Sequence, residues 1–128
     1  MFDKYILCED GFRARTDGRP GGELEVRMPY YRGLFLSMVE AVDLTLDGRA
    51  IPPERTTFTV HGNTYTFDQM PRVTDDRWEM GERSVLAFTT DTPLEPGEYD
   101  VAVSVRLRIS YMPVPGGGRD RKRLRLAA

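Results

Sequence analysis

The chain reads as an all-β protein: an antiparallel, jelly-roll-like β-sandwich forming one domain over residues 1–128. Three observations predict this. Apolar residues recur at every second position in several short runs, those runs are punctuated by Gly, Pro and Asp, and no long helical period is present.

The segment Phe58–Phe67, FTVHGNTYTF, has two arms in which Phe58, Val60, Tyr65 and Phe67 alternate with threonines. Gly62-Asn63 is the expected hairpin turn, because both residues tolerate positive φ. Tyr99–Tyr111 is the longest strand-like run. Tyr99, Val101, Val103, Val105, Leu107, Ile109 and Tyr111 share one face, and a helix would scatter them around its axis. Leu94–Glu98, with Pro96-Gly97, is the turn before it.

Weaker repeats follow the same rule. Leu24, Val26 and Met28 alternate with charged residues after the turn-rich Asp17–Gly22. Val42, Leu44 and Leu46 lead to an Asp47-Gly48 hairpin turn. Leu36 and Met38 extend that face backward, with a helical turn over Ser37–Ala41 as the other reading. Val85–Thr89 is a further strand, and Leu124 and Leu126 mark a last one, for about eight strands. Three stretches read as connections: Met28–Gly33, Asp68–Gly81 and Pro113–Lys122, the last with Gly116–Gly118 as a flexible loop. Loops at one end of a sandwich are where binding residues collect.

Composition narrows the function. At 128 residues and 40% hydrophobic the chain supports one core, and a net charge of −2 argues against general nucleic-acid binding. Cys8 is single and lies in a strand-like run, so it is expected to be buried and no intrachain disulfide framework is possible. The opening residues Met1–Lys4 show no secretory signal and no run reaches membrane-spanning length, so a cytoplasmic location and no membrane partner are expected.

His61 is the only histidine, at the hairpin tip. Asp68, Asp75, Asp76 and Glu79 lie near in sequence, but the spacing of a zinc site is absent. His61 therefore reads as a turn or interface residue, and Asp75-Asp76-Arg77 as a loop ion-pair cluster rather than a metal centre. Tyr30-Tyr31-Arg32 and Arg77-Trp78 combine the residue types that anchor protein interfaces. Trp78 reads equally well as a plug at one end of the core. Arg119, Arg121, Lys122, Arg123 and Arg125 form a basic run, which fits the wet face of an edge strand better than a nucleic-acid patch. Candidate interface residues are thus Tyr30, Tyr31, Arg32, His61, Asn63, Arg77, Trp78 and Arg119. No catalytic residue and no metal ligand is assigned.

The segments MFDKYIL (Met1–Leu7), PYYRGLFLSM (Pro29–Met38), FTVHGNTYTF (Phe58–Phe67), TDDRWEMG (Thr74–Gly81), RISYMP (Arg108–Pro113) and GRDRK (Gly118–Lys122) resemble, in order, the small β subunit of bacterial C-glycoside deglycosidases. The Gly116–Gly118 run departs from the family's loop. The resemblance implies a heteromeric carbon–carbon lyase. A larger TIM-barrel α subunit would hold a divalent metal, manganese, together with the acid–base groups. This chain would be an accessory β-sandwich with no cofactor of its own. The implied substrates are aryl C-glycosides oxidised at C3 of the sugar: the ketone acidifies the C2 proton, and its removal lets the aryl carbon leave C1. Two rival readings stand beside this one. The first is a self-contained carbohydrate-binding sandwich that stacks sugars on Trp78, Tyr30 and Tyr31. The second is a small enzyme using His61 with Asp68 or Asp76.

Overall fold

The computed structural model describes residues 6–15, 17–29, 33–79, 82–108 and 116–126. Within them, eleven strands alternate with turns and three single-turn 3₁₀ segments, at Leu36–Met38, Pro53–Arg55 and Met70–Arg72. The strands are β1 (Leu7–Ala14), β2 (Gly21–Arg27), β3 (Leu34–Phe35), β4 (Val39–Leu46), β5 (Arg49–Ile51) and β6 (Thr56–Val60). They continue with β7 (Asn63–Thr66), β8 (Arg77–Trp78), β9 (Arg83–Thr89), β10 (Gly97–Leu107) and β11 (Gly116–Leu126). A five-stranded sheet runs β1-β2-β9-β6-β7, a four-stranded sheet runs β11-β10-β4-β5, and β3 pairs with β8 as a short separate ribbon. Each of these pairings is antiparallel.

The two larger sheets bury one face each in a common core. Leu24, Val26, Phe58, Val60, Leu86 and Phe88 come from the first sheet; Val42, Leu44, Val101, Val103, Val105, Leu107, Leu124 and Leu126 come from the second. These are the period-two positions of the sequence, and alternation is what a pleated strand with one wet face requires. Ile109 and Tyr111, which continue the alternation of β10, lie outside the described residues.

Burial also joins the sheets along one side, where β1 runs beside β11. The buried Asp120 carboxylate accepts the Leu7 backbone N–H at 2.8 Å, and Lys122 Nζ donates to the Leu7 carbonyl at 2.7 Å. A carboxylate taken out of water needs such donors; here a second comes from the Arg121 N–H. Cys8 is buried on β1, and desolvation pushes its thiol pKa up, so the thiolate is disfavoured.

Two expectations change. The hairpin between β6 and β7 turns on His61-Gly62, one residue earlier than Gly62-Asn63. His61 and Gly62 both take positive φ (54° and 79°), while Asn63 already pairs with Val60. The type of turn was legible, but its register was set by Phe58 and Val60 having to point inward. The second change is that Gly116–Gly118 is no flexible loop. All three glycines are strand residues, paired with Leu107, Arg106 and Val105. At Gly117 the backbones approach so closely that a Cβ would lie 1.9 Å from the Val105 carbonyl oxygen, and φ is 121°. Glycine there permits pairing rather than freedom.

Gly117→Ala is therefore expected to destabilise the fold by about 2 kcal/mol, the scale of a side chain forced into a glycine-only conformation. Urea unfolding of the two proteins, with midpoint and slope compared, measures it.

Candidate functional site

The polar centre of the molecule forms where the β6–β7 hairpin tip meets the segment between β7 and β9. Asp76 is placed by its backbone, since its carbonyl accepts the Leu36 N–H at 3.0 Å while Val73 O accepts Ser37 N–H at 2.9 Å. Its carboxylate then gathers the hairpin. Oδ1 meets His61 Nδ1 at 2.9 Å, and Oδ2 accepts from Tyr65 Oη at 2.8 Å and from Asn63 Nδ2 at 3.3 Å. The other ring nitrogen of His61, Nε2, is 2.7 Å from Glu82 Oε2. Glu82 Oε1 in turn accepts the Glu79 N–H at 2.9 Å. His61 is thus held between two carboxylates on opposite sides of its ring.

The electrostatics follow. Hydrogen bonds to Asp76 and then to Glu82 raise the His61 pKa above its ordinary value, because both carboxylates favour the charged ring. Burial pushes the Asp76 carboxyl up, but the hydrogen bonds from His61, Tyr65 and Asn63 outweigh it and hold the group below the usual range. The bond to Asp76 raises the Tyr65 pKa. An imidazole with both nitrogens engaged by carboxylates is a poor general base. Among the described residues no three His, Cys, Asp or Glu side chains form a group that could hold a metal.

Strand alternation decides the neighbouring residues. In the ribbon of β3 and β8, Leu34 pairs with Trp78 and Phe35 with Arg77. Leu34 and Trp78 point inward; Phe35 and Arg77 point out. Trp78 is 0% exposed, packed edge-to-face on Phe58 at 5.0 Å between ring centroids, with its indole N–H donating to Glu82 O at 2.8 Å. Of the two readings of Trp78, the core plug is the one observed. A side chain with no exposed surface offers no face to a partner or a sugar. The sequence pair Arg77-Trp78 is split because successive strand residues face opposite ways.

Arg77 remains exposed. Its guanidinium lies 5.2 Å above the Phe35 ring, donates to Gly33 O at 3.2 Å, and has Glu79 at 3.5 Å. Arg77 therefore does not join Asp75 and Asp76 in the expected ion-pair cluster; Asp76 is spent on the hairpin. Phe35 is the one exposed large hydrophobic side chain among the described residues. Tyr30, Tyr31 and Arg32 lie outside the described residues. Arg119 sits on the outer face of β11, on the other sheet. His61 and Asn63 are brought together; Arg77 and Arg119 stand apart from them.

Tyr65, Glu82 and Phe35 were not among the sequence candidates. Tyr65 was findable, since it follows Asn63 by two residues and so shares its side of β7. Glu82 and Phe35 carry no local signal.

Fold and site together define a small antiparallel β protein whose single imidazole is occupied on both sides. Comparison with known proteins goes further. The family model of the C-glycoside deglycosidase beta subunit matches residues 2–111. A C-glycoside deglycosidase beta subunit of Eubacterium cellulosolvens is 31% identical over 114 residues, covering 87% of this chain and 78% of the relative. One from Microbacterium trichothecenolyticum is 35% identical over 98 residues, 77% of this chain and 73% of the relative. A 3'-dehydrocarminate deglycosidase beta subunit from a Microbacterium species is 29% identical over 116 residues, 91% and 85% of the two chains. The chain belongs to the C-glycoside deglycosidase beta subunit family. Among the described residues no helix is long and apolar enough to cross a membrane.

Two predictions test this site. Trp78→Ala removes a buried indole and should lower the stability of the isolated chain by about 3–5 kcal/mol, as read by denaturant unfolding. Binding of a partner to the residual folded fraction should change far less.

The second concerns pH. The raised His61 pKa gives stability that is complete below the unfolded imidazole value, about 6.5, and is lost as pH rises through the folded value. The depressed Asp76 pKa gives stability present above its unfolded value and lost as pH falls through the folded one. The clamp is therefore strongest in mildly acidic solution. An NMR titration of the His61 ring should show a midpoint above the ordinary value, and Asp76→Asn should bring it down.

Proposed function

We propose that this chain is the non-catalytic β subunit of a heteromeric C-glycoside deglycosidase, a lyase that cleaves the C–C bond of 3-oxo aryl C-glycosides. The larger subunit, a TIM barrel, would hold the divalent metal and the proton-transfer groups. The observation that carries the reading, beside family membership, is the state of His61: both nitrogens are engaged by carboxylates, which leaves this chain's only imidazole unavailable as a base. The relative named for 3'-dehydrocarminate has a 3'-oxidised substrate in its name, which supports the requirement for a 3-oxo sugar.

Within such a complex the chain's own residues bind rather than react. Phe35 and Arg77 present an aromatic ring with a guanidinium stacked on it, the chemistry of an interface anchor. His61, Asn63, Tyr65 and Asp76 hold the adjoining hairpin in one position, so that the contact surface is formed before the partner arrives. Tyr30, Tyr31 and Arg32 remain candidates for the partner contact by residue type alone. The complex acts in the cytoplasm.

The test is to purify this chain alone and together with its barrel partner and to assay both on a 3-oxo C-glycoside. The chain alone is expected to be inactive and the complex active. Turnover by the single chain would overturn the proposal.

A further inference from the structure

The outer faces of the two sheets are wired differently. On the five-stranded sheet Arg13 pairs with Glu23 and Glu25, and Arg83 pairs with Glu25 and Asp10. The four-stranded sheet places Arg119, Arg121, Arg123 and Arg125 in one outward row along β11. The register sets Arg123 opposite Asp100, Arg121 opposite Ala102 and Arg119 opposite Ser104. Each ion pair steps diagonally, Arg123 to Glu98 and Arg121 to Asp100. The same step from Arg119 arrives at Ala102, which has no acceptor. Arg119 accordingly has no ionic or hydrogen-bonded partner among the described residues. Asp43, which faces Ser104 from β4 on the other side, has none either.

Between these two charges, Ala102, Ser104 and Thr45 form a floor of small side chains under a shallow depression of about 440 Å³. The unmatched charges lie on opposite sides of β10. Arg119 stands on the β11 flank and Asp43 on the β4 flank, where Glu40 is already paired with Arg106. The charges on β10 itself are already matched, Asp100 by Arg121 and Arg106 by Glu40 at 4.0 Å.

We propose that this face docks against the same face of a second copy of the chain, around a two-fold axis parallel to β10 and passing over Ser104. Rotation about that axis exchanges the two flanks while keeping each row level. Arg119 of one copy then meets Asp43 of the other, and Asp43 meets Arg119, the reciprocity of an isologous contact. The small floor of Thr45, Ala102 and Ser104 lets the two sheets approach to packing distance. An axis across the strands would set the unpaired Arg119 against Arg119, whereas the axis along β10 brings onto themselves only Asp100 and Arg106, whose charges Arg121 and Glu40 already match. The inference does not depend on the deglycosidase reading and is tested on the full chain.

Sedimentation equilibrium should return twice the 14.6 kDa chain mass. Arg119→Asp and Asp43→Arg alone should each weaken self-association by about tenfold or more, and the two together should restore it to within about threefold. Melting temperatures serve as the folding control, since both positions are exposed. Independently, Ser104→Cys lies on the axis and should be joined into a covalent dimer by a short bismaleimide, whereas Thr64→Cys on β7 should not. The proposal is overturned by a wild-type chain that stays monomeric at about 100 μM, including one that binds an acidic protein through Arg119 instead. Charge reversals that leave the dimer intact overturn it equally.

Discussion

Burial of one face of every strand against a common core is the constraint from which the rest of this molecule follows. A strand offers its side chains alternately to two sides, and the core accepts only one of them. Once Val101, Val103, Val105 and Leu107 point inward, the residues between them have no choice but water. The same rule acts on the two-residue strands β3 and β8. Sinking Leu34 and Trp78 lifts Phe35 and Arg77 to the surface and stacks the guanidinium on the ring. On β11 it sinks Leu124 and Leu126 and raises a row of arginines. Surface chemistry here is largely the complement of packing.

The polar centre at the hairpin tip is a consequence of the same packing at one remove. Trp78 closes that end of the core and hands its indole proton to the Glu82 carbonyl, which fixes where the Glu82 side chain starts. Asp76, two residues before Trp78, is held by its backbone to Leu36. The two carboxylates thereby arrive on either side of His61. What results is a clamp with every strong donor and acceptor satisfied, the arrangement that favours rigidity over reactivity. For a member of a beta subunit family, a rigid and chemically quiet surface suits recognition.

Much of this was legible in the chain. The strand positions, the Asp47-Gly48 turn (Asp47 at φ 49° and Gly48 at 82°), the buried Cys8 and the basic outer row near the C-terminus all follow from local alternation and turn chemistry. The hairpin turn at His61 was legible in kind and missed by one residue, because register answers to the far sheet rather than to the turn. Gly116–Gly118 looked mobile because glycine runs are flexible when nothing pairs with them. The Val105 carbonyl and its neighbours supply the partners.

By itself, then, the sequence determined that the chain is built from antiparallel strands, since a period of two is a property of neighbouring residues. It also determined the family, since PYYRG, HGNTYT and DDRWE are local words. The tertiary structure alone decided that His61 is pinned between Asp76 and Glu82, that Trp78 is core while Arg77 is surface, and that Arg119 and Asp43 lack the partners their neighbours have. These are relations between residues 15, 21 and 76 places apart in the chain. They exist only once two sheets have closed over one core and fixed which side chains share a face.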